Sequence, residues 1–183
     1  GLCLVGSEMC IRDRVEAVHK AGGKIAPQLW HIGAMRKEGE GPYPEYPSAT
    51  PSGLVGRGKK LLEALSPKGI DELIKAFTDA AKDAKDLGFD AVELHGAHGY
   101  LLDNFFWEVL NQREDGFGGS VAARTRFATE IVESIRAEVG DDFPIILRFS
   151  QWKQQDYEAR LAPTKELLEQ FCAPLSAAGV DIF

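Results

Sequence analysis

The chain has 183 residues, 44% of them hydrophobic, with 28 acidic against 21 basic side chains and a formal net charge of -7 at neutral pH. That length and apolar content suffice for one sizeable core, so a single globular unit is expected. The acidic balance, without a dense Lys/Arg cluster, argues against nucleic acid as the main partner. Apolar runs such as Ile145-Ile146-Leu147 fall far below the roughly 20 residues that span a bilayer, so no membrane partner is expected either.

The first 14 residues, GLCLVGSEMCIRDR, open on a short apolar run but end in alternating charges, and they read poorly as a signal peptide. They are set aside as a non-native leader, which leaves 15–183 for the fold. Cys3, Cys10 and Cys172 have neither metal-knuckle spacing nor an even count, and they fit a reducing, cytoplasmic setting.

From Val15 onward one pattern repeats: a helical stretch, a small residue with Gly, then a short apolar strand. Ala21-Gly22-Gly23 precedes a strand at Lys24–Leu29, and Leu87-Gly88 precedes one at Phe89–Leu94. Val139-Gly140 stands before Pro144–Phe149, and Ala178-Gly179 before Val180–Phe183. Glycine after a last helical turn supplies the left-handed cap, and strands alternating with amphipathic helices imply parallel pairing. Between Ser66 and Leu87, residues Ile70, Leu73, Ile74, Phe77, Ala80, Ala81, Ala84 and Leu87 recur at helical spacing behind a Ser-Pro start. Ser120 is expected to cap a helix carrying Phe127, Ile131, Ile135 and Val139. A third helix runs from about Thr164 through Leu167, Leu168 and Phe171, with Pro174 expected to kink or end it.

The Gly/Pro/Ser-rich stretch from Gly39 to Gly58 is too long for an ordinary connection and is expected to be functional or mobile. Four strands are visible where a closed (β/α)8 barrel needs eight and about 250 residues. The chain is therefore expected to be a fragment of such an α/β barrel.

Candidate chemistry concentrates in Glu93-Leu94-His95-Gly96-Ala97-His98-Gly99-Tyr100-Leu101-Leu102-Asp103, at the C-terminal end of a buried strand, where barrel folds place their sites. Two readings stand. His95 and His98 with Glu93 or Asp103 can form a metal site of a hydrolase or lyase. Without a metal, two imidazole donors can polarise a carbonyl while Tyr100 supplies a proton. Arg148, closing the run Ile145–Leu147, needs either a carboxylate such as Glu93 or a bound anionic group. Gln28, at the end of the first strand, offers donor and acceptor together, as an imide edge requires. Trp30 beside it suits either a core or a cofactor wall. The segment Asn111–Ser120 is a glycine-rich turn before a capped helix and lacks the lysine of a phosphate loop.

Taken together, Gln28-Leu29-Trp30-His31, His95 to Asp103, Asn111-x-Arg113-x-Asp115 with Gly118-Gly119-Ser120 and Arg126-Phe127, and Leu147-Arg148-Phe149-Ser150 resemble the old yellow enzyme family of FMN oxidoreductases, in order and spacing. The resemblance covers Val15 to Phe183. It implies a flavin-binding TIM-barrel domain of which strands three to six are present, FMN as cofactor, and NADH or NADPH as reductant. It also implies a small-molecule substrate, with homo-oligomers as the assembly to consider. By the same resemblance Gln28 and Arg148 meet the flavin ring, and His95 and His98 hold the substrate carbonyl or nitro oxygen. Tyr100 protonates Cα of an enone after hydride reaches Cβ, and Trp30 lines the substrate pocket. The truncated chain by itself is expected to be inactive. Two stretches depart from the family pattern, Ile32–Arg36 and Gln151-Trp152-Lys153-Gln154-Gln155.

Overall fold

The computed structural model describes residues 4–36, 39–40, 44–45 and 48–183, with side chains from Glu8 onward. Helix α1 (Leu4–Lys20) begins inside the stretch set aside as a leader. Free of Gly and Pro after Gly6, residues 7–14 run on without a break into the turns anchored by buried Val15.

Three parallel strands, β1 (Gln28–Leu29), β4 (Val92–His98) and β5 (Ile145–Lys153), form the central sheet in the order β1-β4-β5. The expected fourth strand is reduced to one parallel bridge, Ile182 to Ile146 on β5. Each spatial neighbour is the next strand in that sheet, and the connections are helical: α2 (Pro67–Asp86) leads into β4 and α4 (Val121–Val139) into β5, while α5 (Lys165–Ala178) follows β5. Helix α2 packs on α4, and α4 on α5. Helices following one another along one face of a parallel sheet are the singly wound arrangement of a barrel wall.

Period-2 alternation sorts the strand residues. Val92, Leu94, Ile145 and Leu147 join the core with Ile70, Phe77 and Ala81 of α2, Phe127, Ile131 and Ile135 of α4, and Phe171 and Leu175 of α5. The residues between them, Glu93, His95, Ile146 and Arg148, take the opposite face, with Gln28 paired to Glu93 and His95 to Arg148.

The helix starts follow the sequence. Ser66, Ser120 and Thr164 each accept from the backbone N–H three residues on. Gly179 adopts the left-handed cap (φ 117) that ends α5. Pro174, expected to kink or end that helix, lies inside it. Phe171 and Leu175, both fully buried on either side, hold the helix against the sheet and outweigh one lost backbone hydrogen bond.

The long Gly39–Gly58 stretch falls partly outside the described residues. From Ser48 on it is ordered, with a hairpin of β2 (Leu54–Gly56) and β3 (Lys59–Lys60) that the sequence did not suggest. Arg113 secures it by donating to the carbonyls of Pro51 and Leu65, both at 2.7 Å, and Ser52 accepts from the Gln112 N–H. Asn111 in turn donates to the carbonyls of Phe105 and Phe117. The polar motif around Asn111 and Arg113 is thus a brace for the loops. A short helix, α3 (Leu101–Phe106), follows β4 with every residue buried.

Candidate active site

All six side chains singled out from the sequence, Gln28, Trp30, His95, His98, Tyr100 and Arg148, line one cavity of about 350 Å³, with Gln154 as the seventh. The cavity lies at the C-terminal ends of β1, β4 and β5. Gln28 donates through Nε2 to Oε1 of Glu93, which leaves its amide oxygen for a further partner. Arg148 is exposed on the cavity side and makes no hydrogen bond or ion pair with any described residue. The expected burial of its guanidinium is therefore not found, because this side chain points away from the helix-covered face, and the ion pair with Glu93 is not formed. A free guanidinium beside a free amide oxygen is a donor and acceptor set suited to a planar imide carrying negative charge.

His95 is buried and its Nδ1 has no hydrogen-bond partner among the described residues. Its pKa is lowered, first by burial and then by His98 and Arg148; that of His98 is lowered by burial, Arg148 and Lys153. Both rings are held toward the neutral form, in which each keeps one N–H to donate. Their centroids lie 5.5 Å apart, and Tyr100 stands 5.3 Å from His95 and 4.8 Å, edge-on, from Trp30. Two imidazoles and a phenol thus converge on one volume, as donation to a single oxygen and a proton to a neighbouring carbon would require.

The turn that makes this convergence is irregular. Gly96 pairs with Phe149 but His98 pairs with Lys153, so one residue of β4 faces three of β5. His98 takes a left-handed conformation (φ 63), unusual for a side-chain-bearing residue, followed by Gly99 (φ 87). The φ of Gly99 strains any residue with a side chain, and a Cβ there would also have to displace the Gln155 amide. The His98 N–H donates to Ser150 Oγ at 2.9 Å and the Gly99 N–H to Asp103 Oδ2 at 2.7 Å. Trp152, on the bulged strand, stacks on His98 at 4.8 Å, with Tyr157 stacked beyond it at 5.4 Å. Sequence reasoning missed Trp152, whose only signal was the departure from the family pattern at Gln151–Gln155.

Asp103 takes no part in the cavity. Its carboxylate pairs with Lys153 Nζ at 2.6 Å, and both side chains are fully buried. Burial pushes the Asp103 carboxyl up to about 6 and pulls the Lys153 ammonium down. Among the described residues no three His, Cys, Asp or Glu side chains are placed to hold a metal ion. The metal reading of His95 and His98 therefore lacks its third ligand.

Residues 10–181 match the NADH:flavin oxidoreductase / NADH oxidase family. The chain is 40% identical to an NADH oxidase of Thermoanaerobacter brockii over 93% of its own length and 25% of the relative's. It is 43% identical to an NADPH dehydrogenase of Clostridium acetobutylicum, over 74% of this chain and 39% of that one. To 12-oxophytodienoate reductase 2 of Arabidopsis thaliana it is 35% identical, over 70% and 37%. Among solved structures it resembles morphinone reductase, with TM-score 0.80, 27% identity and coverage of 94% of this chain and 50% of that one. It likewise resembles the Old Yellow Enzyme from Pichia sp. AKU4542, with TM-score 0.78, 28% identity and coverage of 94% and 49%. The chain thus spans a quarter to two fifths of these curated relatives and about half of the solved chains. With the match running over nearly its whole length, the chain belongs to the NADH:flavin oxidoreductase family, the family of the old yellow enzymes.

Proposed function

We propose that this chain carries the ring-edge and proton-donor part of an FMN-dependent NAD(P)H oxidoreductase that reduces activated C=C bonds of enone-like substrates. The observation that carries the reading is the convergence of Gln28, Trp30, His95, His98, Tyr100 and Arg148 on one cavity. Members of the family work with FMN and with NADH or NADPH. The unpartnered Arg148 and the free amide oxygen of Gln28 fit the flavin ring edge. When bound, FMN supplies hydride drawn from the nicotinamide nucleotide.

The chain's own residues do the rest. Gln28 and Arg148 orient the ring, and the Arg148 charge favours an electron-rich, anionic edge. His95 and His98, held neutral, each donate an N–H to the substrate oxygen and stabilise the charge that develops there. Tyr100, edge-on to Trp30, delivers its proton to Cα, and its phenol is replenished from solvent at the open side of the cavity. Trp30 lies on the rim and limits where a substrate ring can sit.

The test is Tyr100→Phe in the flavin-loaded whole protein. Reoxidation by 2-cyclohexenone is expected to slow about a hundredfold or more while reduction by NAD(P)H stays nearly unchanged. Equal oxidative rates for variant and parent would remove Tyr100 from the mechanism.

A further inference from the structure

We infer that the buried Asp103–Lys153 pair positions the His98–Gly99–Tyr100 turn, making Lys153, on the segment that departs from the family pattern, a positioning residue for the proposed site. The inference rests on the reading of the cavity given above. Lys153 Nζ donates to Asp103 Oδ1 at 2.6 Å and to the Ser150 carbonyl at 3.0 Å. The other Asp103 oxygen takes the Gly99 N–H at 2.7 Å, while Ser150 Oγ takes the His98 N–H. One ammonium group therefore ties both backbone donors of the turn, one through a carboxylate and one through the strand that carries Ser150.

The arrangement does more than fill space. Two charged side chains at 0% exposure cost desolvation, and an apolar pair of similar volume would be as stable or more so. What an apolar pair could not do is accept the Gly99 N–H. His98 occupies a left-handed conformation that relaxes readily unless its neighbours hold it. The imidazole and the phenol flank this one peptide turn, so loss of the turn misplaces both. Asn104 adds a second tie, donating to the Gly99 carbonyl at 2.7 Å, but it leaves the two N–H groups to Ser150 and Asp103.

Three variants of the flavin-loaded protein separate positioning from packing: Lys153→Met, the double variant Asp103→Leu/Lys153→Met, and Asp103→Asn. Three quantities are measured for each: thermal midpoint, amide exchange at His98 and Gly99, and affinity for 4-hydroxybenzaldehyde. The single Lys153→Met variant, which strands a buried carboxylate, is expected to lose thermal stability. The double variant is expected to regain it, yet to exchange the Gly99 amide and bind the phenol roughly ten- to hundredfold less favourably than the parent. Asp103→Asn keeps one acceptor oxygen for the Gly99 N–H but turns its amide NH2 toward the Lys153 ammonium, so it is expected to lose thermal stability while retaining more of the Gly99 exchange protection than the double variant. A double variant that recovers the exchange protection or the phenol affinity along with its midpoint would reduce the pair to core packing and overturn the inference. Should the parent bind no phenol, the reading of the cavity fails, and the exchange rates still decide whether the pair holds the turn.

Discussion

His98 combines a strained backbone with the oxygen-binding role proposed for it. A left-handed residue other than glycine costs on the order of 1 kcal/mol, and the structure sustains it with the Ser150 hydroxyl below and the Trp152 ring on its face. Substitution of either histidine by alanine is expected to weaken binding of phenolate ligands by about 1–3 kcal/mol, read by titration calorimetry. Unchanged affinity would show that the imidazoles do not meet the ligand oxygen. The six cavity residues were legible in the sequence because each lies within or just after a strand, Gln28, His95 and Arg148 as polar interruptions of apolar runs and His98 and Tyr100 on either side of Gly99 where β4 leaves the sheet. Trp152 and Lys153 were not legible. Their approach to His98 depends on the three-to-one bulge in β5, which no local pattern announces.

At the scale of elements, the helices could be read because α2 and α4 carry apolar residues at three and four behind serine caps. The β2–β3 hairpin and α3 could not. The hairpin is held by Arg113, 62 residues away from Pro51 in sequence, and α3 is only six residues long. Replacing Arg113 with leucine leaves the Pro51 and Leu65 carbonyls without their donor. Such a variant is expected to lose about 2 kcal/mol or more in urea unfolding, with faster proteolysis between Pro51 and Leu65. The turn at Gly33–Met35 has a pH dependence of its own. His31 accepts the Gly33 N–H on Nδ1 at 3.0 Å, and its pKa is lowered by burial and by Arg36. A base whose folded pKa lies below its unfolded value of about 6.5 binds its proton more readily when unfolded. Its stabilising contribution is therefore present above that pH and is lost as pH falls through it. The stability of the parent relative to His31→Gln is expected to drop between pH 7.5 and 5.0 in urea titrations, and a constant or rising difference would contradict this.

For the molecule as a whole, the parallel sheet with helices along one face builds half of the solved neighbours' length and one wall of a cavity. In the proposed reading that wall holds the flavin ring edge and the substrate; the N-terminus of the six-residue helix α3 borders the cavity at Tyr100, but its Leu101 N–H is already donated to the His31 carbonyl at 3.1 Å and is not free for a phosphate. A cavity of about 350 Å³ stands at the small end of ligand sites. The 183-residue chain alone is therefore expected to bind FMN weakly, with a Kd above roughly 1 μM and no turnover. Near-stoichiometric FMN in the purified chain would show that a phosphate site lies within these residues. The central claim, that six side chains form one flavin and carbonyl site, is tested most directly by a crystal structure of the whole protein grown with FMN and 4-hydroxybenzaldehyde. The account predicts Gln28 and Arg148 within hydrogen-bond distance of the flavin ring, and the phenolic oxygen between His95 and His98 with Tyr100 alongside. A flavin seated elsewhere, or a phenolic oxygen out of reach of both histidines, would contradict it.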